Sequence, residues 1–239
     1  MLLDRDVPPT GGDLADWVRS VRPRGGEEDH VEAKSRTLGI LLYPDFELLD
    51  VFGPVEMFAY VGDELTLVSV AAEAGPVRSA QGQSSLADHG FADCPALDLL
   101  LVPGGIGTIP ALEDETLLAW LRERAASAEI TTSVCSGSAI LARAGLLDGR
   151  RATSNKQFFE LATSQSDKVD WVWEARWVDD GDFVTSSGVS AGMDMALAVI
   201  ERLWGRERAD EIAALTEYER QRDPTADAFA KRLRSTPSA

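Results

Sequence analysis

Between Thr37 and Tyr218 the chain alternates strand-like and helix-like segments, which predicts an α/β protein: an open, mostly parallel sheet with helices on both faces. Three observations carry this reading. Leu38-Gly-Ile-Leu-Leu-Tyr43 and Leu99-Leu-Leu-Val102 are continuous apolar runs, as expected of parallel strands buried on both sides. Helix-like stretches separate the strands. The β-prone segment Ile130 to Val134 passes into Gly137-Ser-Ala-Ile-Leu-Ala with almost no linker, so a sharp strand-to-helix turn is expected around Cys135.

In chain order, residues 1–36 are rich in charge, Gly and Pro and read as a flexible extension, although Leu14, Trp17, Val18 and Val21 have the spacing of a short amphipathic turn. The domain itself is expected over residues 37–218. After the first strand, Leu49 to Tyr60 has helical character, and Leu65 to Val70 is a second strand. Leu99 to Val102 is a third. Glu113 to Ala126 is a helix with acids early and Arg122 and Arg124 late, matching the helix dipole. The Cys135 strand and helix follow, then a short helix over Gln157 to Ala162. Val172 to Trp177 and Phe183 to Ser186 flank Asp179-Asp-Gly181 and predict a hairpin. Ala191 to Trp204 and Glu207 to Tyr218 close the domain as helices. Residues 219–239 form a tail that either folds over the site or a subunit seam, or stays in solvent.

Composition narrows the function. A chain of 239 residues, 44% apolar, buries one substantial core. A formal charge of −17 argues against binding nucleic acid or an anionic membrane, which needs clustered Lys and Arg. No stretch reads as a membrane span, and Met1-Leu-Leu-Asp-Arg-Asp lacks the apolar core of a signal peptide. Two cysteines make no disulfide framework, so a reducing cytoplasm and free thiols are expected. The two histidines, His30 in the lead-in and His89 in an apparent surface turn, both precede Cys135; a Cys-His-acid triad is hard to assemble and a His-rich zinc site is not expected.

The chemistry converges on Cys135. Ser133 and Gly137 give the small-residue spacing of a nucleophile elbow, where bulk would clash with the tight turn. A thiol there meets the first free N–H groups of a helix, which favours the thiolate. In open α/β sheets reactive groups gather at the carboxyl ends of strands, so three loops should meet it. The first carries Asp50 among Leu48, Leu49 and Val51. Such an acid either caps a helix or is buried beside the thiol, where the coupled pair would favour thiolate plus neutral carboxylic acid. The second, Val102-Pro-Gly-Gly-Ile-Gly-Thr108, is no P-loop; an anion-stabilising hole from Gly105 and the Ser136 amide is the economical reading. The third, Thr185 to Gly192, is small and hydroxyl-rich, either a site wall or an ordinary helix entry. Cys94 reads as structural, and Trp171, Trp173 and Trp177 as sheet packing.

These residues together resemble the DJ-1/PfpI superfamily. The matching motifs are Tyr43-Pro44 with Asp50-x-x-Gly-Pro54, Val102-Pro-Gly-Gly105, Ser133-Val-Cys-Ser-Gly137, Ala144 to Thr153 and Gly188-Val-Ser-Ala-Gly-Met-Asp194, ordered along residues 37–205. Asp at position 50 in place of the Glu of DJ-1-like proteins, the Phe91-Ala-Asp-Cys-Pro95 lead-in and the hydroxyl after the cysteine resemble the isocyanide hydratases. The resemblance implies a flavodoxin-like three-layer sandwich, a homodimer, no cofactor and no metal. It implies Cys135 as nucleophile and Asp50 as acid/base, with Gly105 and Ser136 lining the anion hole or pocket. Ser136 stands where PfpI-type peptidases carry His, which argues against proteolysis. Asn155-Lys156 stands where many relatives have His-Trp, so Asn155 is taken as a substrate contact of altered chemistry. The roughly 20 residues after Tyr218 are too few for the helix-turn-helix pair of the family's regulators.

The function expected is hydration of an isocyanide to an N-substituted formamide, with a small electrophile and a second copy of the chain as partners. Two alternatives remain open: a glyoxalase acting on 2-oxoaldehydes, and a non-enzymatic sensor in which Cys135 is oxidised.

Overall fold

The computed structural model describes residues 35–234. Strand β1 (Arg36–Leu41) opens the sheet and is followed by α1 (Leu48–Ala59) and β2 (Leu65–Ala71). A small antiparallel hairpin, β3 (Gly75–Arg78) with β4 (Ser84–Ala87), precedes the short strand β5 (His89–Gly90). Then come β6 (Leu99–Val102), α2 (Thr108–Ala111), α3 (Glu115–Ala125), β7 (Ile130–Ser133) and α4 (Gly137–Arg143). Residues β8 (Arg151–Ala152), α5 (Phe159–Thr163) and β9 (Asp170–Trp171) lead to the hairpin β10 (Trp177–Asp180) and β11 (Phe183–Ser186). Helices α6 (Ala191–Trp204), α7 (Arg206–Leu215) and α8 (Ala228–Arg234) complete the described chain.

The central sheet runs β10-β11-β7-β6-β1-β2-β5, parallel throughout except for the β10–β11 pair. Helix α1 packs on α6 and α6 on α7, while α2, α3 and α5 surround α4, giving the flavodoxin-like arrangement with helices on both faces. Leu38, Leu41, Leu99, Leu100 and Leu101 lie fully buried in the middle, which is why their runs are uninterrupted by polar residues. After β1 the chain first builds outward through β2, then returns to place β6 on the other side of β1. That reversal opens a crevice at the carboxyl ends of β1 and β6, the place where open α/β sheets put their ligands. The β6–β7 and β7–β11 registers align Val102 and Thr185 with Ser133, so the loops after three strands end at one level.

Local signals explain most boundaries. Asp114 caps α3 by accepting from the Leu117 N–H (3.1 Å), and Arg122 and Arg124 occupy its last turn. Helix α7 ends earlier than the expected Tyr218: Glu217 adopts φ 49°, and Tyr218 N–H bonds back to Ala213 O (2.8 Å), a Schellman closure without glycine. The strand expected over Val172 to Trp177 is displaced. Its alternating tryptophans pack edge-on against Phe159 through Trp171 and Trp173, and β10 begins only at Trp177. The backbone between is satisfied elsewhere, by Val172 N–H to Ala152 O and Arg176 N–H to Pro224 O. His89 is not in a surface turn but in the edge strand β5, half-buried and 3.5 Å from Asp93. Cys94 is a buried free thiol whose sulfur donates to Pro95 O (3.4 Å). The amphipathic stretch at residues 14–21 and His30 lie outside the described residues.

Residues 219–234 lie against the domain. Gln221 N–H donates to Asp194 Oδ1 (2.8 Å), Trp173 Nε1 donates to Ala230 O (2.9 Å), and Asp227 is buried. Among the described residues, no helix is long and apolar enough to cross a membrane.

Candidate active site

Cys135 sits at the tip of the β7–α4 junction with φ 57°, a left-handed conformation unusual for a residue with a side chain. The turn is held by Cys135 N–H to Ser187 O (3.1 Å), while its carbonyl accepts from Ser138 Oγ (3.2 Å) and Ser154 Oγ (3.1 Å). The elbow spacing has a steric cause. A Cβ on Gly137 would run into the carbonyl oxygen of Val102, so only glycine lets α4 start this close to β6. Gly104 is equally constrained, since a Cβ there would meet the Ser136 amide and Asp50 Oδ2.

Asp50 lies in the first turn of α1, fully buried, and does not cap its own helix. Its Oδ2 accepts from Gly104 N–H (2.9 Å), and Oδ1 is buried without a hydrogen-bond partner among the described residues. Burial pushes the carboxyl up to about 7; the Gly104 N–H, and more weakly the nearby Cys135 thiol, act against that rise. Burial also pushes the Cys135 thiol up to about 12, helped by the Asp50 charge and opposed by the Ser136 N–H, the Asn155 amide and the Val189 N–H. The free resting thiolate expected from the helix terminus is therefore not the ground state, because desolvation outweighs three donors. Between these two values the pair holds one proton, and thiol-plus-carboxylate and thiolate-plus-acid are tautomers of that one state.

Asn155 occupies a more specific position than the substrate contact expected of it. Its Oδ1 accepts from Gln157 N–H (2.8 Å) and Phe158 N–H (3.2 Å), which fixes the amide orientation and leaves Nδ2 donating to Cys135 Sγ (3.0 Å). Gly188 backs it closely, with no room for a Cβ beside Nδ2. The Gly105 hole is not free. Gly105 N–H donates to Ser136 Oγ (3.2 Å), which is bonded in turn to Thr108 Oγ1 (2.9 Å) and through it to Tyr43 OH (3.2 Å). Gly105, at φ 127°, packs against the backbone of residues 45–47, where a side chain would collide with Glu47 N. The Ser136 amide, the other half of the expected hole, faces the sulfur.

The structure thus brings Cys135, Asp50, Ser136, Gly105 and Asn155 to one end of the sheet. Three contributors escaped the sequence: the Val189 N–H, the hydroxyl chain Tyr43–Thr108–Ser136, and the buried Lys156–Asp227 pair behind Asn155. A backbone donor leaves no mark in residue type. The ion pair joins positions 71 apart that no local pattern links. Among the described residues, no group of three or more His, Cys, Asp or Glu is placed to hold a metal ion.

The chain resembles proteins of known kind over this same region. It is 37% identical to isonitrile hydratase of Pseudomonas putida over 76% of this chain and 78% of that protein. It is 31% identical to the HTH-type transcriptional regulator GbdR of Pseudomonas aeruginosa over 79% of this chain, and spans only 52% of that longer protein. A solved ThiJ/PfpI family protein from Pseudomonas syringae superposes with a TM-score of 0.71 at 31% identity, covering 89% of this chain and 92% of the other. The model of the DJ-1/PfpI family matches residues 36–202, from the first strand through α6 and including every residue that surrounds Cys135 from loops after β1, β6, β7 and β11; the chain belongs to the DJ-1/PfpI family.

Proposed function

We propose that this protein is a cofactor-free hydro-lyase that hydrates an isocyanide to an N-substituted formamide, with Cys135 as nucleophile and Asp50 as the proton shuttle. The observation that carries the reading is the buried pair of a thiol and a carboxyl raised to about 7, which is protonated and deprotonated with equal ease near neutrality. The 37% identity to isonitrile hydratase supports the substrate class.

An isocyanide, R–N≡C, is electrophilic at its terminal carbon and must gain a proton there. Cys135 sulfur attacks that carbon while its proton passes to the Asp50 carboxylate, and Asp50 delivers the proton to the same carbon. The product is a thioimidate, R–N=CH–S–Cys135. As charge develops on sulfur, the Ser136 N–H, Val189 N–H and Asn155 Nδ2 stabilise it. Water then adds to the imidate carbon, Asp50 taking its proton and passing it to nitrogen. Collapse of the tetrahedral adduct forms the formyl C=O and breaks the C–S bond; the hydroxyl proton returns to sulfur. The sum is R–NC plus water giving R–NH–CHO, with thiol and carboxylate regenerated. Ile106 and Phe158, which neighbour Gly105 and lie three residues after Asn155, are 60% and 54% exposed and offer apolar contacts to an organic R group.

The test is turnover of alkyl and aryl isocyanides by purified protein beside Cys135→Ala. Formamide production by the parent and none by the variant supports the proposal; no hydration across the panel by protein with an intact thiol overturns it. A second copy of the chain is the proposed partner.

A further inference from the structure

Directly after Asn155 comes a lysine buried as deeply as the core. The Lys156 side chain is 1% exposed, and its partner Asp227, at 3.5 Å, is 0% exposed. Its Nζ also donates to Ala175 O (2.8 Å), Thr153 Oγ1 (2.9 Å) and Ser154 O (3.1 Å), and lies 5.5 Å from the Phe159 ring. Three of these contacts fall on residues 153–159, the segment that also presents Ser154 Oγ to the Cys135 carbonyl and Asn155 Nδ2 to its sulfur. Asp227 is itself locked. Its Oδ1 accepts from Phe229 N–H (2.9 Å) at the start of α8, and its Oδ2 has no other partner among the described residues. Trp173 Nε1 to Ala230 O (2.9 Å) and Arg176 N–H to Pro224 O (2.7 Å) tie the same tail down on both sides of Asp227.

A buried ion pair is a poor route to stability, since two apolar side chains of similar volume hold a core as well without desolvating charge. Burial is heavy enough here to push the Lys156 ammonium down to about 8, with Asp227 and Glu174 opposing the fall and Arg176 adding to it. What the pair supplies that apolar packing does not is direction. A lysine with several fixed acceptors holds the chain on either side of it in one conformation.

We propose that Lys156 and Asp227 are positioning residues for the nucleophile: their ion pair, anchored by the C-terminal segment, holds residues 153–156 so that the Asn155 amide stays on the Cys135 sulfur. The claim rests on Cys135 as the reacting group and not on the identity of the natural electrophile. Sulfur reactivity is therefore the readout, and it is distinguishable from any failure of isocyanide hydration.

The experiment measures the rate of Cys135 alkylation by iodoacetamide against pH, resolved from Cys94 by peptide mass spectrometry. Asp227→Asn should slow alkylation near neutral pH about tenfold and displace the profile to higher pH, because a donor to the thiolate is no longer held in place. Asp227→Glu should recover part of the loss. In an Asn155→Ala background, Asp227→Asn should add less than about twofold, since the donor it positions is already gone. Lys156→Met with Asp227→Leu removes both buried charges, should preserve the fold as checked by circular dichroism, and should show the same slowing. Wild-type alkylation in either Asp227→Asn or the double variant would overturn the proposal. So would a full tenfold effect of Asp227→Asn on top of Asn155→Ala, which would mean general loosening rather than positioning of the amide.

Discussion

Replacing Asp50 with Asn separates the two jobs assigned to the buried pair. The amide keeps the size of the carboxyl and an oxygen to accept from Gly104 N–H (2.9 Å), so the fold should survive. What disappears is the titrating group. A carboxyl at about 7 is half-protonated at neutral pH, whereas one at the ordinary value of 3.8 would be protonated about one part in a thousand. The raised value matches Asp50 to both of its transfers, taking the thiol proton as a carboxylate and releasing it to carbon as an acid, and positioned acid/base groups of this kind contribute about 10²–10⁴-fold. Isocyanide turnover by Asp50→Asn should fall by about that factor. Alkylation of Cys135 by iodoacetamide should move the other way above pH 8, because the neighbouring negative charge that raises the thiol is removed. The folded carboxyl binds protons more tightly than the unfolded one, so wild-type stability falls as pH rises from about 4 through about 7. The variant should accordingly melt at a higher temperature than wild type at pH 8 and at nearly the same temperature at pH 4. Turnover within about tenfold of wild type, or hydration and alkylation slowed together, would refute the role given to Asp50.

Wild-type turnover should rise as pH increases through about 7, where Asp50 loses its proton, and change little over the next two pH units, as read from kcat/KM against pH. Asn155→Ala should slow Cys135 alkylation about tenfold at neutral pH with little change in melting temperature, because it removes one of three donors to sulfur. Gly137→Ala should destabilise the domain by about 2 kcal/mol or more in denaturant titration, since the new methyl meets the Val102 carbonyl. Light scattering should find a dimer; Leu49 and Phe52 of α1 are 42% and 46% exposed, and surface substitution of both with Ser should shift the protein toward monomer.

How legible the protein was depended on the range of the interactions involved. The strands β1 and β6 were readable because a strand covered on both faces runs apolar through its buried stretch, and β7 because Ile130-Thr-Thr is β-prone and leads straight into a helix. The stretch from Val172 misled because tryptophans two apart look like strand alternation whether they pack on a sheet or, as here, on Phe159. The hairpin β3–β4 went unseen, since its alternation of exposed and buried positions is short and weakly apolar. At the site, Cys135, Gly137 and Asp50 announced themselves through local sterics and an acid set among leucines. Val189, Thr108 and Asp227 did not.

The residues alone determined that a cysteine would stand on a sharp turn at the end of a parallel sheet, because glycine spacing and apolar runs act over a few positions. Only the tertiary structure decided the protonation of that cysteine and the direction of the Asn155 amide. Those depend on how completely water is excluded and on groups as far apart as Lys156 and Asp227, and desolvation is a property of the assembled interior, not of any segment.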